Sequence, residues 1–216
     1  MARIKSINRL RLIDMIRSDK LYSGLADGLS ALPVPDAIKI GRRRYAIPTT
    51  LDELSESIVY GQRLYFSREE PNDFAIILRL LAGYYYPVYK KVPFSDSGTA
   101  LFTKNILNCK AKEVYPTTIH MIKLVCELAE RERKLLHREP SKVELAAGIE
   151  NLTPFAEINA LDFLRDAMKV SIPEVLLTPY NECLVRFMNA KATLEFQEKF
   201  IKLSQEAANE DKNKKK

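Results

Sequence analysis

Helix-start signals recur along this chain more densely than any other feature, and they restrict what it can build. Thr50 with Glu53, Ser141 with Glu144 and Ser171 with Glu174 each set a hydroxyl residue three positions before a carboxylate. In that spacing the hydroxyl accepts from a first-turn amide and the carboxylate reaches back to the cap, satisfying donors that a helix start leaves free. Pro71, Pro116, Pro154 and Pro179 stand at the beginning of amphipathic runs. There a fixed φ suits the first turn and the missing N–H costs nothing. Glycine is scarce, seven in 216 residues, which disfavours a glycine-rich β fold. The pattern predicts a mainly α, multi-helix single domain.

The apolar spacing predicts helices over 51–66, from Pro71 to Gly83, near 99–109, from Pro116 onward, and from 179 to 207. "YYYPVYKKVPFSDSG", after Gly83, reads as a tyrosine-rich loop. Two short alternating runs flank Gly41 in "AIKIGRRRYAIP", which predicts one small β-hairpin near 37–47. Residues 3–18 carry a basic helical stripe, and "GLADGLSALPVPD" reads as a linker. The division that follows is a basic N-terminal helix and extended arm over 1–36, a helical domain over 37–208, and a disordered charged tail over 209–216. Removing residues 1–35 is expected to leave a folded domain.

The net charge of +6 is unevenly placed. Residues 1–50 carry +6, residues 51–200 carry −2 and residues 201–216 carry +2. A docking face for nucleic acid concentrates cations, so here it would come from the N-terminal arm. Arg3, Arg9 and Arg11 are the candidate contacts of that arm, and Arg42, Arg43 and Arg44 those of the hairpin tip. Three arginines bind phosphate weakly at physiological salt, which favours a protein partner or a solvated turn. Tyr84, Tyr85, Tyr86 and Tyr89 crowd around Pro87. Adjacent aromatics cannot all enter one core, and tyrosine is enriched at interface hot spots, so this group is a candidate contact surface. The alternative is that two pack inward and two cap the loop.

Signatures of chemistry are few. Neither a GxGxxG nor a GxxxxGK[ST] stretch occurs. His120 and His137 lack a ligand at helical spacing, and Cys109, Cys126 and Cys183 form no metal-spaced pair. Glu69, Glu70 and Asp73 sit at a helix N-terminus, where the dipole favours them without any acid–base role. No catalytic residue, metal or cofactor is expected. No apolar run reaches the roughly 20 residues of a membrane span, so no membrane partner is expected.

"REPSKVELA" at 138–146 resembles the start of a DNA-reading helix pair in bacterial sigma factors. Glu144, however, occupies the position where such a pair needs a small residue before its turn glycine, here Gly148. A nucleic-acid-binding regulator using 138–165 and Arg42–Arg44 is therefore the alternative function.

The order of elements is similar to that of small helical assembly or virion proteins of tailed bacteriophages, including tail-assembly chaperone-like products. The residues that carry the resemblance are Tyr45–Ala46–Ile47–Pro48, then Leu51, Leu54 and Tyr60–Gly61–Gln62. Glu144 to Ile149, Leu152, Phe155, Val175–Leu176 and Pro179–Tyr180 continue it. The resemblance implies a non-enzymatic structural or assembly protein that binds other virion or assembly proteins, in the host cytoplasm or in the particle. It leaves room for a homo-oligomer and makes nucleic acid a secondary partner.

Overall fold

The computed structural model describes residues 9–17, 24–68, 70 and 72–214. They form eleven α-helices, one 3-10 helix and one two-stranded antiparallel hairpin, as the mainly α expectation required. The chain groups into two compact units. The first extends to Glu130 and adds Pro173–Tyr180; the second comprises Arg131–Ile172 and Asn181–Lys216.

In the first unit, α1 (Leu12–Arg17) and α2 (Leu25–Ser30) precede the hairpin of β1 (Ala37–Ile40) and β2 (Arg43–Ala46). Its register pairs Ala37 with Ala46, Ile38 with Tyr45, Lys39 with Arg44 and Ile40 with Arg43. Ile38 and Ile40 are fully buried, whereas Lys39 and Arg44 share the exposed face. Period-two alternation predicts this division.

The arm expected over 1–36 is not extended where it is described. Leu10, Leu12, Met15 and Leu29 are all buried. Ala111 N–H donates to Leu10 O at 2.9 Å and Leu12 N–H to Cys109 O at 3.1 Å. Fully burying such side chains contributes about 1.5–3 kcal/mol each, so deletion of 1–35 would strip core rather than release a tether. Part of the predicted linker is α2, and the helix expected over 3–18 is described only from Leu12 to Arg17.

The helix expected over 51–66 is two helices, α3 (Leu51–Ser57) and α4 (Tyr60–Phe66). Between them Ile58 and Val59 are extended. Tyr60 N–H donates to Thr178 O at 2.9 Å, and Tyr180 N–H to Ile58 O at 3.1 Å. A pairing 120 residues away in sequence overrides local helix propensity at two β-branched residues. Thr50 caps α3 as predicted, accepting from Glu53 N–H at 3.2 Å. The Glu53 carboxylate reaches one residue further back, to Thr49 N–H at 2.6 Å.

Helix α5 runs from Asp73 to Lys90, straight through the expected end at Gly83 and through Pro87. Gly83 serves close approach instead of termination. A Cβ there would lie 2.9 Å from Phe66 Cε1 and 3.0 Å from Tyr65 Cδ1, both on α4. Asn72 caps α5, and the helix ends at Lys91 in the left-handed region, φ 57°. Helix α6 (Asp96–Leu107) begins at Ser95, whose hydroxyl accepts from Gly98 N–H at 3.2 Å. Helix α7 starts at Ala111 and runs to Leu136, so Pro116 lies inside it and not at its head. The Leu10 carbonyl that satisfies the Ala111 amide is invisible to local sequence patterns.

The second unit contains α8 (Lys142–Ala146), a 3-10 helix (Ile149–Phe155) and α9 (Ala156–Met168). To it belongs nearly all of α11 (Tyr180–Lys214), while α10 (Ile172–Leu177) lies mostly in the first unit. Ser141 and Glu144 form the predicted capping box, at 2.7 and 3.2 Å. Helix α11 continues to Lys214, past the end expected at 207 and through the stretch expected to be a disordered tail. Glu, Lys and Ala are good helix formers, and polarity alone does not stop a helix.

Candidate interaction surfaces

Among the described residues of the first unit, several exposed cations lie on the hairpin and beside the start of α7. The Lys39 amide donates to Glu113 Oε2 at 3.0 Å, which ties β1 to the first turn of α7. Arg11 and Lys110 face each other in an antiparallel bridge. Arg9, Arg11, Lys39, Arg42, Arg43, Arg44 and Lys110 are all exposed. None has an ion-pair partner among the described residues. Two cross-strand pairs, Lys39 with Arg44 and Arg11 with Lys110, set like charge against like charge. Such pairs destabilise, so this surface is suited to an anion supplied from outside. Arg3 lies outside the described residues.

The tyrosines sit on α5 and not in a loop, and they turn inward. Tyr85 is 1% exposed and its hydroxyl donates to Ala46 O at 3.2 Å. Its ring packs edge-on against Tyr84 at 4.9 Å, and Tyr45 lies 6.1 Å away. Tyr84 is half-buried, with its hydroxyl 3.2 Å from Ser57 Oγ. Tyr89 packs on Tyr45 at 5.7 Å and on Phe102 at 5.0 Å. Tyr86 lies over Gly98 of α6, where a Cβ would clash with its hydroxyl and ring carbon Cζ. Burial pushes the Tyr85 and Tyr84 hydroxyls up from their ordinary range. Helical geometry resolves the crowding that the sequence posed, because residues 84, 85, 86 and 89 diverge around α5 toward the hairpin, α3 and α6.

The second unit buries only three of its described apolar residues, Leu164, Cys183 and Leu184. Val143, Leu145, Leu152, Phe155 and Ile158 are exposed on the α8–α9 side, Ile158 to 58%. On α11, Val185, Met188, Leu194, Phe196, Phe200, Ile201 and Leu203 are exposed as well. The periodicity of α11 reads as a core stripe, and burial shows it is not one. The signal lay in the apolar residues spreading around the helix circumference, with Leu194 and Ile201 opposite Phe196 and Leu203.

Polar contacts hold this unit in shape. Arg138 binds Glu144 and also Glu198, the latter at 2.8 Å. Lys191 Nζ donates to Leu135 O at 3.1 Å, and Phe163 stacks on Phe187 at 5.4 Å. The Arg138 hydrogen bond, with those from Ser141, draws the Glu144 carboxyl down to about 2. Segment 138–165 is thus a five-residue helix, a left-handed Gly148 turn and a 3-10 helix before α9, without the two-turn first helix of a DNA-reading pair.

His120 Nε2 lies 2.8 Å from Pro48 O. Burial pushes the Cys109 thiol up to about 12 and the Cys183 thiol up to about 11, so neither is a thiolate near neutrality. Among the described residues no three His, Cys, Asp or Glu side chains converge as metal ligands do. No described helix is long and apolar enough to cross a membrane. Comparison with protein-family models, curated proteins and solved structures returned no match.

Proposed function

We propose that this chain is a non-enzymatic assembly protein that docks other protein subunits through its second unit. The observation that carries this reading is the set of exposed apolar residues Leu152, Phe155 and Ile158, spaced three apart, in a unit with so small a buried core. Exposed apolar surface of this kind marks protein–protein contact. The resemblance to tailed-bacteriophage assembly products supports a virion or tail-assembly setting, in the host cytoplasm or the particle. The test compares tagged chain with a Phe155→Asp, Ile158→Asp double variant in extracts of cells assembling the particles. Structural proteins should be retained by the parent and lost by the variant. Equal retention by both would overturn the docking face.

The unpaired cations of the hairpin favour a second reading, a nucleic-acid-binding regulator. That reading rests on Arg42–Arg44, Lys39 and Arg11, and not on segment 138–165. Duplex binding with a steep salt slope, lost on replacing Arg42–Arg44 by glutamine, would support it.

A further inference from the structure

The distal part of α11 has solvent on every side: each residue from Ala192 to Ala207 is exposed. Even so, Ala192, Phe196, Phe200, Leu203 and Ala207 recur at steps of three and four and form one apolar face. Phe196 and Phe200 stack on that face with ring centroids 6.2 Å apart. In proteins most of a helix's stability comes from packing of its apolar face, and among the described residues nothing of the same copy covers this one.

Along one side of the face runs the row Lys191, Glu195, Lys202, Glu206, with Lys199 between row and face. Along the other side stand Thr193, Gln197 and Ser204, all uncharged. Lys191 and Glu195 lie 3.7 Å apart on their own helix. Lys199, Lys202 and Glu206 have no ion-pair partner among the described residues.

We propose that α11 pairs antiparallel with α11 of a second copy of this chain through this face. A two-fold axis passing between Lys199 and Phe200 sets Phe196 against Leu203 of the other copy, and Ala192 against its Ala207. In an antiparallel pair each flank meets its own copy reversed. Glu195 then falls within two residues of the other copy's Lys202, about 3 Å along the axis, and Lys191 equally close to its Glu206. Long side chains span that offset. A parallel pair would set the charged row against Thr193, Gln197 and Ser204, where no counter-charge stands. The charge order therefore selects both the partner and the direction, as flanking charges do in coiled coils. Lys199 falls near the axis, where its stem adds apolar length while its ammonium stays in water. This pairing is independent of the docking face on the 3-10 helix and α9, and either can fail alone.

The test is light scattering on the full chain over a dilution series reaching about 100 μM. The parent chain dimerises, and Phe196→Asp abolishes the dimer with the helical circular dichroism unchanged. Glu195→Lys and Lys202→Glu each weaken the dimer by about tenfold or more, since each sets like charges opposite one another twice. Mixing those two variants restores dimers, because every crossed pair is then acid against base. A monomeric parent, a dimer indifferent to Phe196→Asp, or a mixture that fails to recover would each overturn the proposal.

Discussion

Gln62 Nε2 donates to the backbone carbonyl of Gly83 at 2.8 Å, and this bond explains how α5 passes through a proline. Pro87 stands four residues after Gly83 and has no N–H to give it, so the Gly83 carbonyl lacks its helical donor. Gln62, buried on α4, supplies the missing donor and accepts from Val59 N–H at 3.0 Å with its other atom. One side chain thus completes the middle of α5 and the start of α4. The glycine at 83 lets the two helices come close enough for it to do so.

Replacing Gln62 by methionine keeps the volume and leaves two backbone groups without partners. Urea unfolding should show a loss of about 1–3 kcal/mol. Pro87→Ala returns an N–H to the Gly83 carbonyl. The loss from Gln62→Met should therefore be smaller in the Pro87→Ala background. A double-mutant cycle with no coupling would sink this account.

Leu12 is fully buried in the part of the chain that composition marks as an arm. Leu12→Ala should destabilise the first unit by about 2–5 kcal/mol, as core truncations do. A true tether would show a change too small to measure in the same thermal or urea melt.

Arg44 faces Lys39 across the hairpin, and neither side chain has an ion-pair partner among the described residues. Arg44→Glu should stabilise the hairpin by about 0.2–1 kcal/mol. The same variant should elute from heparin at lower salt. A higher melting temperature together with weaker polyanion retention would show that the like-charge pair is kept for binding and not for stability.

The Glu144 carboxyl lies well below its ordinary value of 4.5, first because of Arg138 and then because of Ser141. A depressed carboxylate contributes stability that is present above its unfolded value and is lost as pH falls through the folded one. The links from Glu144 to Arg138 and Ser141 should therefore hold from neutrality to about pH 4.5 and loosen toward about pH 2. A carbon-detected NMR titration of Glu144 gives the midpoint directly. Arg138→Gln should move that midpoint up toward 4.5; an unmoved midpoint would mean that the cap alone sets it.

Local rules were enough for the features that local physics governs. Hydroxyl–carboxylate spacing placed the starts at Thr50 and Ser141, and alternation around Gly41 placed the hairpin. Charge counting found the cations that the hairpin displays. Where a distant group supplies a partner, the same rules misread the chain. Pro87 does not end α5 because Gln62 replaces its donor, and Gly83 does not end it because α4 packs there. Ile58 and Val59 leave the helix because Thr178 and Tyr180 pair with them. The tyrosines look like a displayed cluster in one dimension, yet the helix turns them toward Tyr45, Ser57 and Phe102.

The amino-acid order by itself determined that this chain would be helical with one hairpin, and where its positive charge would lie, because caps, periodicity and charge act over a few residues. Only the tertiary structure decided which apolar stripes are core and which are surface. Leu10 and Leu12 are covered while Phe196 and Phe200 are bare, and the local spacing does not tell the two pairs apart. Periodicity gives a side chain its direction, and burial depends on what the rest of the chain brings to meet it.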